Sequence, residues 1–167
     1  MKKLIFFLTF IPLLSFSQGN TSNSINWVSL SEGEKYSEKY KKNMLIFFYR
    51  DNCEYCMRMK KEVLSDPQII KLINENFFPV ILNGKSKKPI TYNGKKYINT
   101  VSAKEDSTFR WRHDFAFELI ATKNGSITWP SIAILNSQKK KIKTLAGFRS
   151  KPQLIRSLTL LAKIKKS

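Results

Sequence analysis

Cys53 and Cys56 are the only cysteines of the chain, and they frame the motif Cys53-Glu54-Tyr55-Cys56. A bridge between them closes a loop too small to remove much entropy from the unfolded chain. Secreted scaffolds instead spread their cysteines to tie distant segments together. A pair so poor as a staple is better explained by reactivity. In the first turn of a helix, where Cys53 is expected, unpaired N–H groups and the positive end of the helix dipole both favour an anion. The thiolate is that anion, and it is the nucleophile of disulfide exchange. Cys56, one turn on, is placed to resolve a mixed disulfide formed by Cys53.

The neighbouring charges pull in opposite directions. Glu54 raises the pKa of a nearby thiol, whereas Arg50, Arg58 and Lys60 lower it, and the sequence leaves the balance open. Tyr55 offers a hydroxyl or a packing surface. A structural zinc site needs four ligands. With His113 the sole histidine and no further cysteine, no metal site is expected. His113 lies far along the chain from the pair, among alternating aromatic residues, and reads as a packing residue.

These residues need elements to hold them. Met44 to Tyr49 is a continuous apolar run rich in strand formers, as expected of a strand buried on both faces. Arg50-Asp51-Asn52 breaks it, and a helix is predicted from the cysteines to about Leu64. Ser65-Asp66-Pro67 opens the next helix, with Ile69, Ile70, Leu72 and Ile73 inward. Phe77 to Leu82 is a second buried strand. Upstream, Ile25 to Val28 suggests an edge segment, and Ser31 with Glu34 suggests a capping box opening a helix that ends near Asn43.

Downstream, Asn93-Gly94 between Ile90–Tyr92 and Lys95–Ile98 signals a two-residue hairpin. The stretch with Phe109, Trp111, His113, Phe115 and Phe117 alternates like a strand. Phe115, Ala116, Leu119 and Ile120 also make a helical face, and a helix over about 112–123 is favoured. Ser131 to Leu135 and Lys140 to Leu145 form an antiparallel pair. A last helix opens near Pro152 and turns Leu154, Leu158 and Leu161 inward. The order gives an α/β architecture with a mixed central sheet flanked by helices.

The 167 residues suffice for one domain, and 42% hydrophobic content supplies a core. Lys2 and Lys3 precede an apolar run from Leu4 to Leu14, and Ser15 and Ser17 offer small residues before Gln18. This is the build of a cleaved leader over residues 1–17. The run is shorter than a membrane-spanning helix and holds Pro12. The processed chain, 18–167, is therefore expected to be periplasmic or secreted, without an integral membrane segment. The precursor carries a net charge of +18, and loss of Lys2 and Lys3 leaves +16. An exported chain with no reading helix is not expected to bind nucleic acid.

Three features together resemble thioredoxin over about Ile25 to Lys163. They are the strand running into Cys53-Glu54-Tyr55-Cys56, Trp129-Pro130 followed at once by the strand Ser131 to Leu135, and the hairpin return with Gly147 and a closing helix. The segment from Ile25-Asn26-Trp27 through Asp66-Pro67 also resembles exported bacterial thioredoxin-like proteins, including periplasmic domains fed by membrane electron carriers.

The resemblance implies a thioredoxin fold with an insertion at about 83–110 that contains the hairpin. It implies a protein-disulfide oxidoreductase cycling through Cys53 and Cys56. Pro130 would be the cis-proline facing the pair, leaving backbone free for an extended client segment. Trp129 would line the substrate groove, with packing as its alternative, and Glu54 and Tyr55 would border it. No metal or organic cofactor is needed.

Glu-Tyr stands where thioredoxin has Gly-Pro, Phe47 where it has a buried aspartate, and Asn52 where it has a tryptophan. The motif lacks the histidine of the strong oxidases, so reduction fed by a membrane electron donor is the expected direction. The substrates would be cysteine-containing proteins. Rival readings are a non-catalytic binding module and a thiol-dependent peroxide reductase or redox sensor. The sequence does not specify the oligomeric state.

Overall fold

A computed structural model describes residues 22–99 and 112–164. The expected leader at 1–17, Phe109 and Trp111, and the later part of the expected insertion lie outside the described residues.

The fold is built around β1 (Met44–Tyr49). Its first five residues are buried, and it is paired on both edges. It runs parallel to β2 (Phe78–Asn83), with Met44 opposite Phe78 and Tyr49 opposite Asn83. It runs antiparallel to β5 (Ser131–Leu135), with Phe48 opposite Ser131 and Met44 opposite Leu135. β6 (Lys141–Ala146) pairs antiparallel with β5, completing the order β2-β1-β5-β6. This is the mixed sheet that the apolar runs called for.

Alternate residues of β1 feed two cores. Leu45 and Phe47 join the core beneath α3 (Pro67–Asn76) and α5 (Lys151–Ala162), together with Met59 and Val63 from the helical segment that follows the cysteines. Met44, Ile46 and Phe48 join the core beneath α1 (Leu30–Tyr40) and the later α4 (Asp114–Ile120). A separate hairpin of β3 (Ile90–Tyr92) and β4 (Lys95–Tyr97) lies on this second face. Asn93 and Gly94 at its tip have φ of 50° and 72°, the left-handed pair a tight hairpin turn requires. Tyr92 and Tyr97 each place a ring 5.1 Å from that of Phe115.

Several boundaries differ from the sequence reading, each for a local reason. The capping box is Ser29 with Glu32, two residues before the expected Ser31 and Glu34. The Ser29 N–H donates to Glu32 Oε2 at 2.9 Å, and the Glu32 N–H to Ser29 Oγ at 3.2 Å. The earlier start turns Leu30 and Gly33 into the core. Glu34 instead pairs with Lys139 at 2.9 Å and accepts the Asn93 N–H at 3.0 Å. Ile25 to Val28 contributes only a single bridge from Val28 to Val80. α4 is shorter than the expected 112–123, because His113 caps its start and the chain is extended again at Ala121.

Gly33 marks the tightest approach of helix to sheet. A Cβ there would lie 2.7 Å from Val80 Cγ2 and 2.9 Å from Met44 Sδ. Alanine in a helix gains about 1 kcal/mol over glycine, but overpacking a full core costs about 1–3 kcal/mol. Gly33→Ala is therefore expected to lower stability by about 1 kcal/mol, read as a reduced urea midpoint with an unchanged slope. A raised midpoint would show that Met44 and Val80 yield freely.

Candidate active site

β1 ends at Tyr49, and the chain turns through Arg50, Asp51 and Asn52. Asn52 takes φ 50°, a left-handed conformation that asparagine tolerates better than bulky residues. That requirement accounts for asparagine immediately before the motif. Cys53 is extended, at φ −117° and ψ 102°, and serves as the N-cap of α2 (Glu54–Arg58). It thus stands one residue before the helix rather than in its first turn. Its Sγ accepts the Cys56 N–H at 3.2 Å, and its carbonyl accepts from Cys56 and Met57, each at 3.0 Å. The Cys56 N–H is thus shared between the carbonyl and the sulfur of Cys53 at the helix start.

A π-helical turn, Met59–Val63, continues the segment, with the Leu64 N–H bonded to the Met59 carbonyl at 2.9 Å. The wide turn keeps Met59, Val63 and Leu64 all on the buried side. Cys53 and Cys56 are disulfide-bonded, with Cα atoms 5.2 Å apart. Cys53 is 5% exposed and Cys56 2%, whereas Tyr55 and Met57 beside them are 54% and 62% exposed.

The charges around the pair come in opposed sets. Arg58 Nε bonds Glu62 Oε1 at 3.3 Å, and its guanidinium lies 5.0 Å from the Phe148 ring centroid and 6.0 Å from that of Tyr55. The Glu62 hydrogen bond, and then its charge, hold the Arg58 pKa above its ordinary value, with Glu54 adding to this. Lys60 Nζ sits 3.4 Å from the Tyr49 ring centroid. Burial depresses its pKa, and Asp51 opposes that shift. Asp51 also accepts the Asn83 side-chain amide at 2.8 Å. Two of the three cations flanking the motif thus have a carboxylate in attendance.

Pro130 precedes Ser131, which is opposite Phe48 in the register, so Pro130 lies at the end of the sheet where β1 turns into the motif. The Trp129–Pro130 peptide bond is cis, and the Pro130 carbonyl accepts the Gly147 N–H at 2.8 Å. Trp129 packs on the α4 side of the sheet, against Gly84 and Ala116, on the face opposite the core that α2 enters. A Cβ on Gly84 would overlap its indole, so only glycine leaves the ring its place. Phe148, which the sequence reading did not single out, follows Gly147 and brings its ring 6.4 Å from that of Tyr55. Its signal was an aromatic residue just past the glycine that ends β6, at the Pro130 end of the sheet.

Phe47 is fully buried, 6.3 Å from Trp27 ring to ring. The buried polar residues described are Ser37, Asn43, His113, Ser131 and Asn136, with no carboxylate among them. His113 lies in the α4 core. The Phe115 N–H donates to its Nδ1 at 3.2 Å, so the ring proton sits on Nε2 and is donated to the Lys88 carbonyl at 3.1 Å. Among the described residues, no group of three or more His, Cys, Asp or Glu could hold a metal ion.

The family model for thioredoxin-like domains matches residues 31–162. A protein of Archaeoglobus fulgidus, described as uncharacterized, is 31% identical over 81 residues, covering 48% of this chain and 62% of that one. The match thus spans less than two thirds of that relative's length. Among solved structures, a DsbH oxidoreductase superposes with TM-score 0.55 at 13% identity, over 91% of this chain and 96% of its own. A thioredoxin from Thermus thermophilus does so with TM-score 0.57 at 16% identity, over 84% and 88%. At these identities the likeness is one of fold.

His113 yields a pH dependence. Burial lowers its pKa, against the opposing influence of the Lys88 carbonyl and Asp114. The unfolded chain therefore binds this proton more readily than the native state, and stability falls as pH drops below the ordinary histidine value of about 6.5. The urea midpoint is expected to fall between pH 7 and pH 5. In His113→Asn, which keeps a capping acceptor, the slope over that interval should flatten. An unchanged slope would assign the effect to other groups.

Proposed function

The chain belongs to the thioredoxin-like domain family, and on that premise we propose that it is a thiol–disulfide oxidoreductase of the cell envelope that reduces disulfides in client proteins. The observation that carries this reading is the Cys53–Cys56 disulfide at the start of α2, with the Cys53 sulfur in hydrogen-bond contact with the Cys56 N–H.

In the reduced protein, Cys53 is the attacking thiolate. The N–H groups at the start of α2 stabilise its charge, as does the helix dipole. It attacks one sulfur of a client disulfide. The client S–S bond breaks, a mixed disulfide forms, and the departing client thiolate takes a proton from solvent. Cys56, as thiolate, then attacks the Cys53 sulfur, releases the second client thiolate and closes the intrachain disulfide. Two electrons have passed to the client. A membrane electron-donor protein returns them and restores the dithiol. No organic cofactor or metal enters the cycle.

Cys53 is slightly the more exposed residue of the pair, at 5% against 2% for Cys56, and it stands at the open start of α2, which suits the attacking role. Glu54 and Tyr55 border the approach of the client. Pro130 supplies backbone at the same end of the sheet for an extended client strand, and Trp129 supports that loop from behind. The leader expected at 1–17 would deliver the chain to the periplasm or outside the cell.

Cys53→Ser is expected to abolish reduction of insulin disulfides. Cys56→Ser should retain attack but accumulate mixed disulfides with clients, visible as reductant-sensitive adducts. Persistence of activity in Cys53→Ser would remove the reading, and preserved client binding with no turnover in the wild type would favour a binding module. Equilibration in glutathione buffers tests the direction. A potential near about −270 mV accords with reduction, and one near about −120 mV would reverse it.

A further inference from the structure

We propose that the end of the sheet opposite the cysteines is a docking surface for anionic phospholipid bilayers, an inference independent of the redox reading. β1 and β2 begin at this end, β5 finishes there, and the carboxyl ends of α1, α3 and α5 converge on it. Three aromatic rings form a partly exposed cluster. Tyr36 lies 5.6 Å from Phe78 and 6.3 Å from Tyr40, and Tyr40 lies 5.9 Å from Phe78, centroid to centroid. Tyr40 is 58% exposed. Lys42 Nζ stands 4.9 Å from the centre of the Phe78 ring and Lys39 Nζ 5.1 Å from that of Tyr40.

Lys41, Lys140 and Lys163 stand on the same end, in the turn after α1, the turn between β5 and β6, and the close of α5. Among the described residues, none of these five lysines forms an ion pair. Glu38 is engaged with Lys139 at 3.7 Å and Glu75 with Lys71 at 3.9 Å, while Lys42, half-buried, donates to the Asn74 carbonyl at 3.0 Å and feels the Glu75 charge. Lys39, Lys41 and Lys42 close α1, and Lys140 and Lys163 come from two further elements that meet α1 at this pole. What they offer in common is therefore charge density, with amphipathic rings at its centre. A bilayer reads that combination, because anionic headgroups attract each lysine and tyrosine and phenylalanine rings settle at the headgroup boundary. An acidic protein segment would call for spaced donors in a shaped groove.

At about 3.3 Å per residue, the six residues of β1 hold the disulfide roughly 20 Å from this patch. Docking through the basic pole thus leaves the cysteine end facing away from the bilayer, open to client proteins.

The test uses the chain lacking residues 1–17, a deletion that removes none of the described fold. It is spun with vesicles of phosphatidylcholine alone or mixed equally with phosphatidylglycerol. Co-sedimentation is expected only with the mixed vesicles, weakening as salt rises. The triple variant Lys39→Glu, Lys41→Glu, Lys140→Glu should lose more than about tenfold in partitioning. Lys61→Glu, Lys96→Glu, Lys123→Glu makes the same change in net charge elsewhere and should lose little. Tyr40→Ser should weaken the salt-resistant part of binding. Both triple variants should keep the wild-type unfolding midpoint within error, which separates lost docking from lost folding. Equal losses in the two triple variants would overturn the proposal, showing that net charge alone governs. So would absence of binding to mixed vesicles, or retention by polyglutamate without vesicle binding, which would point to an acidic protein.

Discussion

The contact on which the site depends is a weak one, the Cys56 N–H donated to the Cys53 sulfur. β1 is paired on both edges and its side chains are buried, so its backbone is fully satisfied until Tyr49. The helix that follows opens with N–H groups short of partners, and the Cys56 N–H divides its bond between the carbonyl and the sulfur of Cys53. Asparagine, aspartate or serine would cap this start more strongly than a thiol, and Asp51 and Asn52 show that such residues occur in the same turn. Stability alone does not select sulfur here. In the redox reading proposed above, sulfur at the cap has a chemical use, because the field that makes a cap favourable also favours a thiolate.

The two faces of the sheet divide the remaining work. The face under α3 and α5 is almost wholly apolar, and it holds Met59 and Val63 and so fixes the base of the cysteine helix. The other face carries the added hairpin. Lys95 and Glu118 bridge hairpin and α4 at 2.8 Å, and Tyr97 donates to the same carboxylate at 3.0 Å. An exposed ion pair contributes under about 1 kcal/mol. The Tyr92 and Tyr97 rings against Phe115 contribute more, through area and through edge contacts. The polar ties set where the hairpin sits, and the aromatic ones hold it.

What the sequence made legible was what short-range patterns encode. The buried runs at 44–49 and 131–135, the Asn93-Gly94 turn and the leucines of α5 all stand as read, because each pattern has one physical solution. The misjudged details depend on partners distant in sequence. Ser31 and Glu34 have the spacing of a capping box, but Glu34 is engaged with Lys139 and the Asn93 N–H, and Ser29 with Glu32 forms the cap. The helix favoured around His113 is present but shorter than 112–123, since the His113 ring caps its start and the chain is extended again at Ala121. At the site, the cysteine motif was plain from spacing alone. The place of Trp129 over Gly84 was not, and neither was Phe148 beside Tyr55, since both arise where separate loops meet at one sheet end.

The charge of the chain and the chemistry of its cysteines can be set independently. At physiological ionic strength, exposed charges are screened beyond about 8 Å, and the basic pole lies roughly 20 Å from the disulfide by the rise of β1. Its lysines therefore do little to the Cys53 thiol. The groups close enough to matter are Arg58, with Glu62 and Glu54 about it, and Lys60, opposed by Asp51. Arg50 completes the set; of the other two cations Arg58 pairs with Glu62 and Lys60 has the Asp51 charge nearby. With Phe47 in the apolar core, no carboxylate is buried among the described residues. Lysines added or lost at the far pole alter what the protein adheres to without altering how its sulfurs react.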